Sequence, residues 1–110
     1  MKGIPAYQKD IPWQDLGGGV SRRELSCNEA LMSVEVRFEK GGEGAPHTHQ
    51  HTQCSYVISG VFDYTVDGET VTLRQGDSIV VPGGLLHGTV CLEAGTLLDI
   101  FTPARQDFLK

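Results

Sequence analysis

Across residues 30–39 the chain alternates, with Met32, Val34, Val36 and Phe38 on one side and Ser33, Glu35, Arg37 and Glu39 on the other. A period of two marks a strand with one buried face. Gly41-Gly42-Glu43-Gly44 breaks the pattern, and residues 46–58 resume it as one long extended segment or two. Ser59-Gly60 reads as a turn, residues 61–66 as a strand, and Asp67-Gly68 as the strongest hairpin signal in the chain. Residues 69–73 return, Gln75-Gly76-Asp77 turns again, and residues 78–81 form a short apolar strand stopped by Pro82-Gly83-Gly84. Two further strands, 87–92 and 96–102, are divided by Ala94-Gly95. No stretch sustains a helical period; Trp13-Gln14-Asp15-Leu16 is a single helical turn at most. Many short strands at even spacing imply an all-β sandwich or barrel.

Length changes the picture little: 110 residues hold one domain, spanning 1–110, and one core. Fourteen glycines against five prolines suit tight turns between strands, and a hydrophobic share of 39% argues against disorder. The net charge is −5, and no Lys/Arg cluster is longer than Arg22-Arg23, so a nucleic-acid partner is not expected. The first ten residues carry no apolar signal core and no apolar run reaches membrane-spanning length, so the expected home is the cytoplasm, away from membranes. Cys27, Cys54 and Cys91 are odd in number and widely spaced, which reads as small buried hydrophobes rather than a disulfide framework.

The four histidines fall in two places: His47, His49 and His51 together, and His87 some forty residues later. In an extended strand His47, His49, His51 and Gln53 share one face. Two imidazoles two residues apart can converge on one ion, Gln53 can add an amide oxygen, and His87 can close the site from a neighbouring strand. Neutral imidazole with an oxygen donor suits one divalent ion such as Zn, Ni, Mn, Fe or Co. His-x-His by itself does not exclude a polar, solvent-facing strand with incidental histidines.

The surrounding glycines decide between the two. Gly41, His47, His49, Gln53 and Gly60 have the spacing of the first cupin motif (residues 41–60), and Gly76, Pro82, Gly84 and His87 that of the second (residues 76–91). The chain therefore resembles the cupins, which implies a small double-stranded β-helix, or jelly-roll barrel. It departs from the pattern twice, with Gln53 in place of glutamate and Cys91 in place of asparagine. Gln53 keeps an oxygen ligand but removes a negative charge, leaving the ion's full charge for an anionic substrate. Alternatively Gln53 turns away and leaves a three-histidine site. His51 has no ligand role in that pattern and is expected behind the ligands or at an interface.

Residues 96–102 form a nearly continuous apolar strand with one carboxylate, Asp99, sharing parity with Leu97 and Phe101. An unpaired buried carboxylate is expensive. Either Arg105 swings back to form a salt bridge with Asp99, or Asp99, Phe101 and Arg105 line a reacting cavity as proton carrier, aromatic wall and carboxylate anchor.

The likeness is closer to one branch of the cupins. Residues 11–20, Phe38-Glu39-Lys40-Gly41, the segment 47–53 and residues 99–109 resemble the KdgF family of pectin degradation proteins, and the match runs over residues 12–109. It includes the glutamine at the fourth ligand position. The resemblance implies an enzyme that opens 4,5-unsaturated monouronates from pectin or alginate to linear 4-deoxy-5-keto uronates. It further implies His47, His49, Gln53 and His87 as metal ligands, with Asp99, Phe101 and Arg105 at the reacting end. A homodimer is expected, because a small open sandwich with apolar strands on both faces covers one of them with a partner. Two other activities fit the same ligands: a metal-dependent dioxygenase, and a uronate-binding cupin without catalysis.

Overall fold

The computed structural model describes residues 2–109, so Met1 and Lys110 at the ends of the expected domain lie outside the described residues. Eight strands follow in order: β1 (Gln14–Gly17), β2 (Val20–Cys27), β3 (Met32–Phe38), β4 (Glu43–His47), β5 (Thr52–Val66), β6 (Glu69–Arg74), β7 (Ser78–Val81) and β8 (His87–Thr102). Short 3-10 turns over Gln8–Asp10 and Gln106–Leu109 are the helical elements among the described residues. The pairing is antiparallel in the order β1-β2-β3-β8-β5-β6, with β4 on β8 and β7 on β5.

Two long strands organise the fold. β5 and β8 run side by side from Thr52 opposite Thr102 to Val66 opposite His87. Each takes two partners on its far side: β3 and β4 border the two halves of β8, and β7 and β6 those of β5. The result is the jelly-roll barrel that the motif spacing implies.

Neither Ser59-Gly60 nor Ala94-Gly95 reverses the chain, contrary to the expectation from sequence. Both pairs lie inside strands, at a bulged crossing where the register shifts between Val57 and Ser59, Ser59 and Val61, and Val61 and Phe62. The same residues serve a turn and a bulge, because both need a positive φ or a bare backbone. Gly60 has φ +87°, and a Cβ there would sit 2.6 Å from the Glu93 carbonyl and 2.8 Å from that of Ala94.

The extra residue flips the inward parity of β5. Gln53, Ser55 and Val57 are buried before the bulge, and Phe62 and Tyr64 after it. Both halves then deliver side chains to one core, which joins Val57, Phe62 and Tyr64 to Cys91 and Leu97 of β8 and to Val20, Phe38, Leu73 and Val81. Phe38 and Phe62 meet edge to face with centroids 5.2 Å apart, a favourable aromatic geometry. A second cluster of Met32, Val34, Phe101 and Ala104 fills the end beneath the C-terminal arm.

Three local expectations are revised. Trp13-Gln14-Asp15-Leu16 is not a helical turn: β1 begins at Gln14 and pairs with β2 through Gln14 opposite Arg22 and Asp15 opposite Ser21. The glycine-rich break is shorter than its composition suggests, since Glu43 and Gly44 already pair with Val90 and Thr89 of β8. The histidine strand ends at His47, and β5 starts only at Thr52, so His49 and His51 stand on irregular chain. Asp67 (φ +50°) and Gly68 (φ +83°) form the expected two-residue hairpin. The cysteines are free thiols; Cys91 is fully buried, and Cys27 and Cys54 are half-buried.

The bulge makes a specific stability claim. Gly60→Ala combines a left-handed backbone with a backbone clash, and should destabilise the protein by about 2–4 kcal/mol in denaturant unfolding. Gly68→Ala shares the positive φ but has open space around its Cβ. It should cost only about 1–2 kcal/mol. Equal losses in the two variants would contradict the close-approach account.

Candidate metal centre

Three chain segments meet at one end of the barrel. β4 delivers His47 at its last residue, the irregular stretch before β5 delivers His49, and β8 delivers His87 at its first. The Pro82-Gly83-Gly84 loop holds these segments together. The Gly84 N–H donates to the His49 carbonyl at 2.8 Å. A Cβ on Gly83 would collide with the Gln50 carbonyl, so the two motifs can touch only through a glycine.

The ligand nitrogens of His47, His49 and His87 lie within 4.8 Å of one another. Each ring is fixed by a backbone carbonyl at Nδ1: Ala45 at 2.8 Å for His47, His51 at 3.0 Å for His49 and Leu85 at 3.0 Å for His87. A carbonyl only accepts, so each Nδ1 carries the proton and each Nε2 presents a lone pair. Such back-side contacts are what orient imidazoles toward a metal. His87 Nε2 is buried with no hydrogen-bond partner, an orphan that an ion would satisfy. Burial lowers the pKa of His49, aided by the positive charge of Arg105, and burial lowers that of His87. Both rings therefore stay neutral, as ligands must, at neutral pH.

Gln53 does not turn away. It is buried on β5, and its Oε1 lies 3.1 Å from His49 Nε2. With His49 protonated on Nδ1, two acceptors face each other, a contact that a cation shared by both would convert to attraction. Neighbouring ligand atoms around an ion with bonds near 2.1 Å stand roughly 3.0 Å (octahedral) to 3.4 Å (tetrahedral) apart, so the spacing fits.

The amide is held in that orientation by a closed set of hydrogen bonds. Gln53 Nε2 donates to Ser55 Oγ at 2.9 Å and to Tyr64 OH at 2.8 Å. Tyr64 and Ser55 hydroxyls are 2.9 Å apart, and Ser55 donates to Asp99 Oδ1 at 2.6 Å. Since the Ser55 proton goes to Asp99, Tyr64 donates to Ser55, and every proton in the set has one destination. Strand pairing builds this contact, because Ser55 and Asp99 are direct neighbours across β5 and β8. Burial pushes the Asp99 carboxyl up to about 6, against the opposing pull of the Ser55 hydrogen bond, of the nearby Gln53 amide and of the Arg105 charge. Burial, with the Asp99 charge next, raises the Tyr64 phenol.

A cavity of about 280 Å³ opens over this set, lined among others by His47, Gln53, His87, Asp99, Phe101 and Arg105. His49 joins through its ring contacts, with centroids 4.7 Å from His87 and 5.8 Å from Phe101. All seven residues singled out from the sequence thus converge. The Asp99–Arg105 salt bridge is not formed: Arg105 pairs with Asp107, Nη2 to Oδ2 at 2.7 Å. His51 stands outside the three-histidine cluster and supports it through the carbonyl that receives His49.

Ser55, Tyr64, Arg22 and Phe108 join the site beyond the residues expected from the sequence. Ser55 and Tyr64 look like ordinary strand residues until β5 is bulged and paired with β8. For Arg22 a signal exists: it shares strand parity with the buried Val20, and the register sets Val20, Arg22 and Glu24 opposite Phe38, Val36 and Val34 of β3.

Residues 34–101 match the family model of the cupin domain. The pectin degradation protein KdgF of Dickeya dadantii is 41% identical over 102 residues, covering 91% of this chain and 93% of that protein. The structure of KdgF from a Halomonas species superimposes with a TM-score of 0.91 at 37% identity, over 97% of this chain and 99% of that one. An RmlC-like cupin from Shewanella frigidimarina superimposes with a TM-score of 0.90 at 45% identity, over 94% and 93% of the two chains. With its three-histidine cluster and near end-to-end similarity, the chain belongs to the KdgF family of cupins.

Proposed function

We propose that this protein opens the ring of 4,5-unsaturated monouronates released from pectin or alginate, with one divalent ion held by His47, His49, Gln53 and His87. The observation that carries this reading is the shared cavity. A buried carboxyl raised toward neutrality, a guanidinium and a set of neutral metal-type donors face one small space. The degradation of pectin named for the Dickeya relative supplies the substrate class.

The reaction is an isomerisation, so nothing is added or lost. The anomeric hydroxyl gives up its proton, the bond from C1 to the ring oxygen breaks, and C1 becomes an aldehyde. The electron pair passes to the ring oxygen as an enolate, and protonation at C4 yields the 5-ketone. Asp99 accepts the hydroxyl proton and returns one to C4, a task suited to a group titrating near neutral pH. The Ser55 hydroxyl aims the carboxylate. Arg105 anchors the substrate carboxylate and Phe101 walls the cavity. A bound divalent ion supplies Lewis-acid stabilisation of negative charge developing on oxygen.

Loss of the ultraviolet absorbance of an unsaturated monouronate tests the reaction. The protein should accelerate it well above the spontaneous rate without oxygen uptake. Asp99→Asn should lower kcat by about 10²-fold or more with metal content unchanged. His87→Ala should lose most of the bound metal by mass spectrometry, and the activity with it. Oxygen consumption coupled to turnover would instead identify a dioxygenase, and binding without turnover a uronate-binding cupin.

The outer face of the barrel supports a homodimer. Cys54 lies between Val80 of β7 and Ile100 of β8, and Tyr56 beside Leu98, with Tyr56, Ile58 and Val80 exposed. A continuous apolar patch of this kind marks an interaction surface. Light scattering should give twice the 11.9 kDa chain mass, and Tyr56→Glu with Val80→Glu should give the monomer. A wild-type monomer at micromolar concentration would exclude the dimer.

A further inference from the structure

Arg22 stands where the strand pattern calls for an apolar side chain. On β2, Val20, Arg22 and Glu24 lie opposite Phe38, Val36 and Val34 of β3, and Val20, Phe38 and Val34 are buried in the core. The neighbouring Arg23 faces the other way, where it donates to Glu35 at 2.7 Å and stacks on Trp13. An inward guanidinium must recover the hydration it gives up.

Arg22 has recovered it only in part. Its nearest carboxylate is Glu24, with Nε and Oε1 3.6 Å apart, longer than a hydrogen bond. Both of these atoms are buried without a hydrogen-bond partner. The guanidinium rests instead on the Phe108 ring, 3.8 Å from its centroid, and Arg22 lines the same cavity as His47, His87 and Asp99. Arg105 also rests on Phe108, at 4.1 Å; one edge of its guanidinium is engaged with Asp107, Nε to Oδ1 at 3.2 Å and Nη2 to Oδ2 at 2.7 Å, which leaves Nη1 for a ligand. One aromatic ring therefore seats two cations at the edge of the cavity, one paired to a carboxylate along a single edge and one with an unpartnered Nε.

We infer that Arg22 is a substrate-binding residue that, together with Arg105, forms a two-guanidinium seat for the carboxylate of a sugar acid. The inference rests on the reading of this cavity as a uronate site and deepens it. The seat explains an inward charged strand position that packing alone disfavours. It also gives the cavity two fixed cations for one substrate anion, a basis for preferring a uronate to the corresponding neutral sugar. Phe108, on the 3-10 turn that follows Arg105, sets the spacing of the two guanidiniums.

Calorimetric binding of galacturonate and of galactose to the metal-loaded full chain tests the seat without requiring turnover. The wild type should prefer galacturonate. Arg22→Gln should weaken galacturonate binding by about 10- to 50-fold and leave galactose unchanged. Arg22→Lys, which keeps the charge and loses the fork, should fall between them. Thermal midpoint and metal content, measured alongside, should stay at the wild-type values in Arg22→Lys. Unchanged galacturonate binding in both variants, equal loss for both sugars, or no preference in the wild type would overturn the inference. The ring-opening assay separates this from the reading beneath it. Arg22-dependent galacturonate binding without turnover keeps the seat and removes the reaction. Turnover with a wild-type KM in Arg22→Gln keeps the reaction and removes the seat.

Discussion

A serine hydroxyl has one proton to give, and in this protein it goes to Asp99. From that single allocation the rest of the buried set follows, since Tyr64 must then donate to Ser55 and the amide of Gln53 must donate to both hydroxyls. The amide oxygen is left facing His49. A half-satisfied buried network would be costly, whereas a fully directed one fixes side-chain orientation as firmly as packing does. One interaction thereby orients the oxygen donor beside the histidines and the carboxyl that faces the cavity.

The backbone makes that set possible. Ser55 and Tyr64 belong to the same strand but lie nine residues apart, an odd separation that a regular strand would place on opposite faces. The bulge at Gly60 restores them to one interior, and the crossing with β8 aligns Ser55 with Asp99. A departure from ideal strand geometry far from the histidines is therefore a condition for the side-chain arrangement beside them. Close packing explains the tolerance for glycine alone at this crossing, because the two backbones leave no volume for a side chain.

Much of this is legible in the chain, for reasons that differ by residue. The strand Met32–Phe38 is plain because its apolar face turns inward, with Met32, Val34 and Phe38 buried and Val36 half-buried, and the Asp67-Gly68 hairpin because few residue pairs accept its dihedrals. His47, His49 and His87 are legible through spacing within the cupin motifs. The strand-parity argument for His49 and His51 does not survive, because regular pairing ends at His47. Gly60 and Gly95 are ambiguous on local grounds, since the same dihedral freedom serves a turn or a bulge. The choice depends on a partner strand some thirty residues away. The proximity of Asp99 and Arg105 in sequence suggests a salt bridge, yet Asp107 lies nearer along the chain and takes the guanidinium. Ser55 and Tyr64 carry no local mark at all, because hydroxyl groups on strands are common on either face.

The most direct test of the account is the anomalous-diffraction structure of the cobalt-loaded protein. The ion should lie about 2.0–2.3 Å from Nε2 of His47, His49 and His87 and from Oε1 of Gln53, with the Gln53 amide nitrogen still donating to Ser55 and Tyr64. An ion bound elsewhere, or one bound by the three histidines with Gln53 rotated out of the Ser55–Tyr64 set, would contradict it.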